Sequence, residues 1–144
     1  MKNDQPVLGI FEYVSFPLYD DHQVIAKIDT GAYTGALHCS YIKEIKEGKE
    51  RKIVFRPFDI DTEVTSDEYV VNYVKSSNGS REKRYFVETN ISILGKEYPI
   101  MLSLTNRSEM KWPVLIGRRF LKRNGFIIDP SKNNEYFEEE NILL

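Results

Sequence analysis

Ile25-Ala26-Lys27-Ile28-Asp29-Thr30-Gly31-Ala32 is the stretch on which the fold turns. From His22 to Ile28 the residues alternate, with Val24, Ala26 and Ile28 on one side, as a half-buried strand requires. Asp29 stands where that strand stops, and Gly31 lets the backbone turn tightly just after it. A carboxylate delivered this way is fixed in position beside a backbone that another molecule can approach closely. Far along the chain, Val114-Leu115-Ile116-Gly117-Arg118-Arg119 repeats the arrangement. A continuous apolar run, Trp112 to Ile116, reaches Gly117 and leads into a short helix predicted over Arg118 to Arg123. Asn124-Gly125 stops that helix, because both residues suit a left-handed C-cap.

Period-2 patterning extends outward from these two junctions. Val7 to Phe16 reads as a first strand, closed by Pro17 and Asp20-Asp21. Another runs from about Ala36 to Ile45 and returns through Glu47-Gly48-Lys49 into Lys52 to Phe55. Glu68 to Lys75 and Arg84 to Ile93 flank Ser76-Ser77-Asn78-Gly79-Ser80, where Asn-Gly is a strong hairpin signal. A second hairpin joins Thr89–Leu94 to Glu97–Leu104 at Gly95-Lys96, and Phe126 to Ile128 is the last strand. Eight or nine short strands and one helix make a mainly β, closed, mainly antiparallel barrel or sandwich. The chain reads as a single domain over residues 1–144, with 131–144 as a polar, acidic surface tail.

The composition is compatible with this. The chain of 144 residues is long enough for one core, and 41% hydrophobic with 29% charged residues describes a globular protein. Nine Tyr and eight Phe favour pleated sheet over helix. A net charge of −2 lacks the basic excess that phosphate tracking needs, so no nucleic-acid partner is expected. The interleaved segment from Arg81 to Phe86 is the one stretch that a strand-binding barrel could use. No signal peptide and no membrane-spanning run are seen, and the lone Cys39 excludes a disulfide framework. A cytoplasmic setting is expected.

The two junctions, in this order and with a glycine-containing hairpin between them, resemble those of retroviral-type aspartic proteases. A closer resemblance covers nearly the whole chain. Ala26 to Ala32, Ala36-Leu37-His38, Ser77-Asn78-Gly79 with Glu82 and Arg84, Leu104 to Ser108 with Met110, and Leu115 to Arg118 match the retropepsin-like family labelled "ATP-dependent zinc protease". Members of that family accompany ATP-grasp ligases that attach glutamate to proteins. The chain departs from the pattern at Tyr33, where a basic residue is expected, and at Gly35, where Ser is usual.

The resemblance implies a retropepsin-like barrel acting as a homodimer, with peptide or protein as substrate. Asp29 would supply the catalytic carboxylate, Thr30 would brace the loop, and Gly31 with Ala32 would line the substrate cleft. The Asn78-Gly79 hairpin would form a flap. Arg84, Arg107, Arg118 and Arg119 would read carboxylates on an acidic or glutamate-extended substrate, because a guanidinium fork matches a carboxylate in two places, or else form structural ion pairs with Glu82 or Glu109. The termini, near Val7–Phe11 and Ile142-Leu143-Leu144, would make the dimer contact. The alternative is a non-catalytic peptide- or partner-binding module on the same barrel, in which Asp29 only caps its own turn.

The family label also implies zinc and ATP, yet the residues do not supply them. There is no His-Glu-x-x-His helix and no glycine-rich Walker loop. His38 and Cys39 are neighbours in a strand, so they face opposite ways and cannot readily share a metal. No cofactor is expected. Cys39 reads as a small buried hydrophobe, Trp112 as a core residue, and His38 as a hydrogen-bonded histidine.

Overall fold

In the computed structural model, the residues described are 5–75, 78–106 and 111–133. Arg107, Met110, Ser77 and the acidic segment 134–144, with Ile142-Leu143-Leu144, lie outside them.

Alternation sets the core. In β3 (Val24–Ile28) Ala26 and Ile28 are buried while Lys27 is only half-buried, and β10 (Val114–Ile116) buries Val114 and Ile116 completely. These two strands pair in parallel, Val114 opposite Ala26 and Ile116 opposite Ile28. β2 (Phe11–Ser15) runs antiparallel along the other edge of β3. β8 (Arg81–Ile93), β9 (Lys96–Thr105) and β4 (Gly35–Glu47) continue the sheet. The ring closes where β4 pairs antiparallel with β10, Leu37 opposite Val114. Closure in the order β10-β3-β2-β8-β9-β4 leaves no free edge within the ring. Two of its pairings are parallel, β3 with β10 and β4 with β9, and the remaining four are antiparallel.

Inside the barrel, Phe16, Leu37, Ile91, Ile93, Leu102, Val114 and Ile116 are essentially fully buried. Cys39 is fully buried too, and burial pushes its thiol pKa well up, so it behaves as a small hydrophobe. Trp112 is half-buried, with its ring 4.6 Å from Phe11.

Several elements differ in detail from their expected bounds. The first strand is split into β1 (Val7–Leu8) and β2, because Gly9 N donates to the Glu12 carboxylate at 2.7 Å and breaks the ladder. β1 leaves the ring and pairs in parallel with β11 (Ile127–Ile128). The β8–β9 turn falls on Leu94-Gly95, both at positive φ (52° and 80°), one residue earlier than expected. A strand not anticipated, β6 (Val64–Ser66), pairs with β5 (Glu50–Pro57), which itself extends β4 in a long hairpin. Helix α1 spans Arg118–Arg123 and ends at Gly125, whose φ of 68° is the left-handed value a C-cap glycine supplies. No helix among the described residues is long and apolar enough to cross a membrane.

Among the described residues β7 (Val70–Lys75) pairs only with β8, so the two strands project as a hairpin from the ring. A buried carboxylate ties this hairpin down. Glu44 on β4 accepts the Tyr69 hydroxyl at 2.6 Å, Lys83 Nζ at 3.0 Å and the Tyr85 hydroxyl at 3.3 Å. Its side chain is 7% exposed. The Tyr69 hydrogen bond, helped by Lys83 and opposed by burial, holds the Glu44 pKa at about 2, against 4.5 ordinarily. The folded state therefore favours the ionised form, and the resulting stability is present above about 4.5. It is lost as pH falls from there towards about 2. Glu44→Gln is expected to cost roughly 1–3 kcal/mol at neutral pH. Urea unfolding at several pH values should show a shallower acid slope for the variant, and identical slopes would contradict the assignment.

Candidate active site

The parallel register of β3 and β10 brings the ends of both strands side by side. Asp29 N donates to the Ile116 carbonyl at 2.8 Å, the last rung before the two chains diverge. The first N–H groups of a helix have no partner within it, and here the Asp29 loop provides acceptors. Arg118 N donates to Ala32 O at 2.8 Å and Arg119 N to Tyr33 O at 3.1 Å. The Arg118 side chain adds a third tie, with Nη1 3.1 Å from Gly31 O and 3.5 Å from Thr30 O. Residues 29–33 are thereby clamped to the start of α1 through backbone atoms.

Within the loop, Asp29 Oδ1 accepts Gly31 N at 3.0 Å, and Ala32 N donates to Asp29 O at 3.2 Å. Oδ2 of the half-buried Asp29 has no hydrogen-bond partner among the described residues, and Thr30 and Gly31 beside it are exposed. The arrangement presents one fixed carboxylate with a free oxygen on a rigid turn.

Two glycines make this close packing possible. A Cβ on Gly117 would lie 2.6 Å from Tyr33 O and 2.9 Å from Ala32 O. One on Gly35 would run into the Leu115 carbonyl.

The expected site residues divide into two groups. Asp29, Thr30, Gly31, Ala32 and Arg118 converge on this loop, although Arg118 is already engaged by loop carbonyls. Asn78, Gly79 and Arg84 sit on the β7–β8 hairpin. Asn78 Oδ1 accepts Ser80 N and Oγ at 3.1 and 2.7 Å, and Arg84 pairs with Glu82 at 3.3 Å. The ties of this hairpin to β4 run through Glu44. Arg107 lies outside the described residues. A feature that the sequence concealed is Tyr33, which is exposed, with the Arg118 and Arg119 guanidinium carbons 5.4 and 5.9 Å from its ring centroid. Only the tertiary packing of α1 on the loop brings these three together.

The zinc implied by the family label does not fit these residues. Cys39 points into the core and the largely buried His38 lies on the opposite face of β4, where Nε2 faces Asp59 at 3.4 Å. Among the described residues no three His, Cys, Asp or Glu side chains gather as a metal would need.

Comparison with known proteins gives the family and the fold. The family model described as RimB-like, retropepsin-like aspartic endopeptidase RimB, matches residues 7–138. A protein of Shewanella pealeana named "Probable alpha-L-glutamate ligase" is 30% identical over 92% of this chain. A protein of the same name from Shewanella halifaxensis matches to the same extent. The chain spans only 30% of the length of these relatives. A solved Legionella pneumophila protein of unknown function (DUF785) is 29% identical, covers 88% of this chain and 94% of its own, and superposes with a TM-score of 0.68.

Because backbone carbonyls rather than flexible side chains surround Gly117, Gly117→Ala should cost about 1–3 kcal/mol. Thermal unfolding would measure the loss. A variant as stable as the parent would mean that the clamp between loop and helix is looser than described.

Proposed function

The chain belongs to the RimB-like family of retropepsin-like aspartic endopeptidases, and we propose that it hydrolyses peptide bonds with two Asp29 carboxylates, one from each of two copies. The observation that carries this reading is the clamped loop, which holds Asp29 by its backbone and by one carboxylate oxygen and leaves the other oxygen open. One chain supplies one such carboxylate, so a complete site requires a second copy about a two-fold axis. Two carboxylates about 3 Å apart cannot both ionise, and they titrate as a pair that shares a proton. The ionised member accepts a proton from water as that water attacks the peptide carbonyl, and the protonated member donates to the carbonyl oxygen. One carboxyl then gives its proton to the leaving nitrogen while the other carboxylate takes a hydroxyl proton from the tetrahedral intermediate. The C–N bond breaks, the carbonyl re-forms and the shared-proton state is restored. Exposed Thr30 would bond across to the partner loop, and the Asn78-Gly79 hairpin would close over the substrate to exclude water.

The substrate class we assign is acidic protein, including chains extended with glutamate. Arg118 and Arg119 stand against the loop, and Arg84 and Arg107 would add to them from elsewhere. The relatives named as glutamate ligases support the same class, since adding and removing glutamate are opposed reactions. A functional link to a separate ATP-grasp ligase, in a cytoplasmic setting, follows from this reading.

One observation favours a binding module instead. The Asp29–Gly31 hydrogen bond is what an aspartate kept only for its turn would make.

The discriminating assay compares the parent chain with Asp29→Asn on peptides ending in several glutamates, or in alanines as control. The peptidase reading expects cleavage of the acidic peptide and a fall of roughly 10²–10⁴-fold in rate for the variant. Equal rates would end the role of Asp29. Tight binding of the peptide without any cleavage would establish the binding module.

A further inference from the structure

Helix α1 has the sequence Arg-Arg-Phe-Leu-Lys-Arg, placing four cations in six residues. Phe120 and Leu121 are its buried face, packed into the core, and they leave Arg119, Lys122 and Arg123 turned outward. Among the described residues none of the four cations has a carboxylate within ion-pair distance; the Arg118 side chain reaches only loop carbonyls. With Tyr33, residues Arg119, Lys122 and Arg123 line an open groove of about 550 Å³. Glu88 is the one acidic side chain in the adjoining pocket. Like charges this close together repel, and an anionic polypeptide with carboxylates at several positions would relieve them. Lys122 and Arg123 also suit the negative end of the helix dipole, but Arg119 and Tyr33 do not share that explanation.

A match for this groove lies in the same chain. Segment 134–144, Asn-Glu-Tyr-Phe-Glu-Glu-Glu-Asn-Ile-Leu-Leu, contains Glu135, Glu138, Glu139 and Glu140 and no Lys or Arg. It starts at a defined place. Asn133 Nδ2 donates to Phe11 O and to Glu12 Oε2, each at 2.9 Å. Phe11 lies opposite Lys27 in the β2–β3 register, two residues before Asp29, and Ile28 N donates to Ile10 O at 2.7 Å. Asn133, which precedes the segment, is therefore held at the end of the barrel that carries the Asp29 loop and the start of α1. At 3.3–3.6 Å per residue, Glu138 to Glu140 can extend roughly 17–25 Å from Asn133.

We propose that the glutamates of segment 134–144 dock in the groove formed by Tyr33, Arg119, Lys122 and Arg123 and compete there with acidic polypeptides. The segment acts as a built-in competitor, so the chain binds acidic ligands less tightly than its groove alone would. The inference rests on reading this region as a carboxylate binder but does not require catalysis. A tether long enough to span the distance gives an effective concentration of up to about a millimolar, enough to weaken a micromolar ligand measurably.

The test uses the full chain carrying Asp29→Asn, so that turnover does not intrude, and a fluorescent hexaglutamate peptide followed by anisotropy. A second version also carries Glu138→Gln, Glu139→Gln and Glu140→Gln. The glutamine version should bind the peptide about 3–10-fold more tightly at low ionic strength. That advantage should shrink as salt rises and vanish when Lys122→Gln and Arg123→Gln are added to both. Equal affinities, or an advantage that persists without Lys122 and Arg123, would overturn the proposal and leave the acidic-ligand reading standing. Absence of binding in either version would overturn both. An advantage that grows with protein concentration would assign the segment to a neighbouring copy and contradict docking within one chain.

Discussion

Asp29 and Ile116 meet at a single backbone rung of 2.8 Å, and the candidate site depends on the parallel pairing that ends there. β10 has only three residues, yet it pairs with β3 on one side and β4 on the other, so it closes the barrel. Its burial is nearly complete, with Val114 and Ile116 both inaccessible. The barrel cannot close without β10, and β10 cannot sit there unless Gly35 and Gly117 leave room for carbonyls. Closure, the clamped loop and the orientation of Asp29 are thus one packing solution. Hydrogen bonds between backbone groups set it, which makes it insensitive to rotamer changes nearby.

Charge is distributed very unevenly around this frame. A net charge of −2 conceals two opposite environments. Glu44 is a buried acid satisfied by two tyrosines and a lysine, and it fixes the β7–β8 hairpin. Glu12 is another, accepting Gly9 N and Asn133 Nδ2 and holding the chain near residue 133 against β2. The exposed face of α1 is the reverse, cationic and without carboxylate partners among the described residues.

Much of the frame was legible in the sequence because it rests on local rules. Alternation in Val24–Ile28, the apolar run into Gly117 and the Asn124-Gly125 stop each follow from near neighbours. The bounds of α1 came out as expected for the same reason. Glu12 and Glu44 were not legible as buried acids. Each looks like an ordinary exposed strand residue, and side-chain partners of each lie far along the chain, Asn133 for Glu12 and Tyr69, Lys83 and Tyr85 for Glu44. The parallel β4–β9 pairing and the diversion of β1 to β11 likewise depend on long-range closure, which no local period encodes. At the candidate site, motif spacing pointed to Asp29 and Gly117. The stacking of Arg118 and Arg119 against Tyr33 appears only once α1 is packed on the loop.

The central claim is that two copies of this loop meet and share one proton between their Asp29 side chains. The most direct measurement is a crystal structure of the assembled protein, with its mass in solution determined alongside. The account predicts a dimer whose two Asp29 carboxylates lie within hydrogen-bonding distance across the two-fold axis. A monomer in solution, or a dimer that holds the two aspartates far apart, would contradict it.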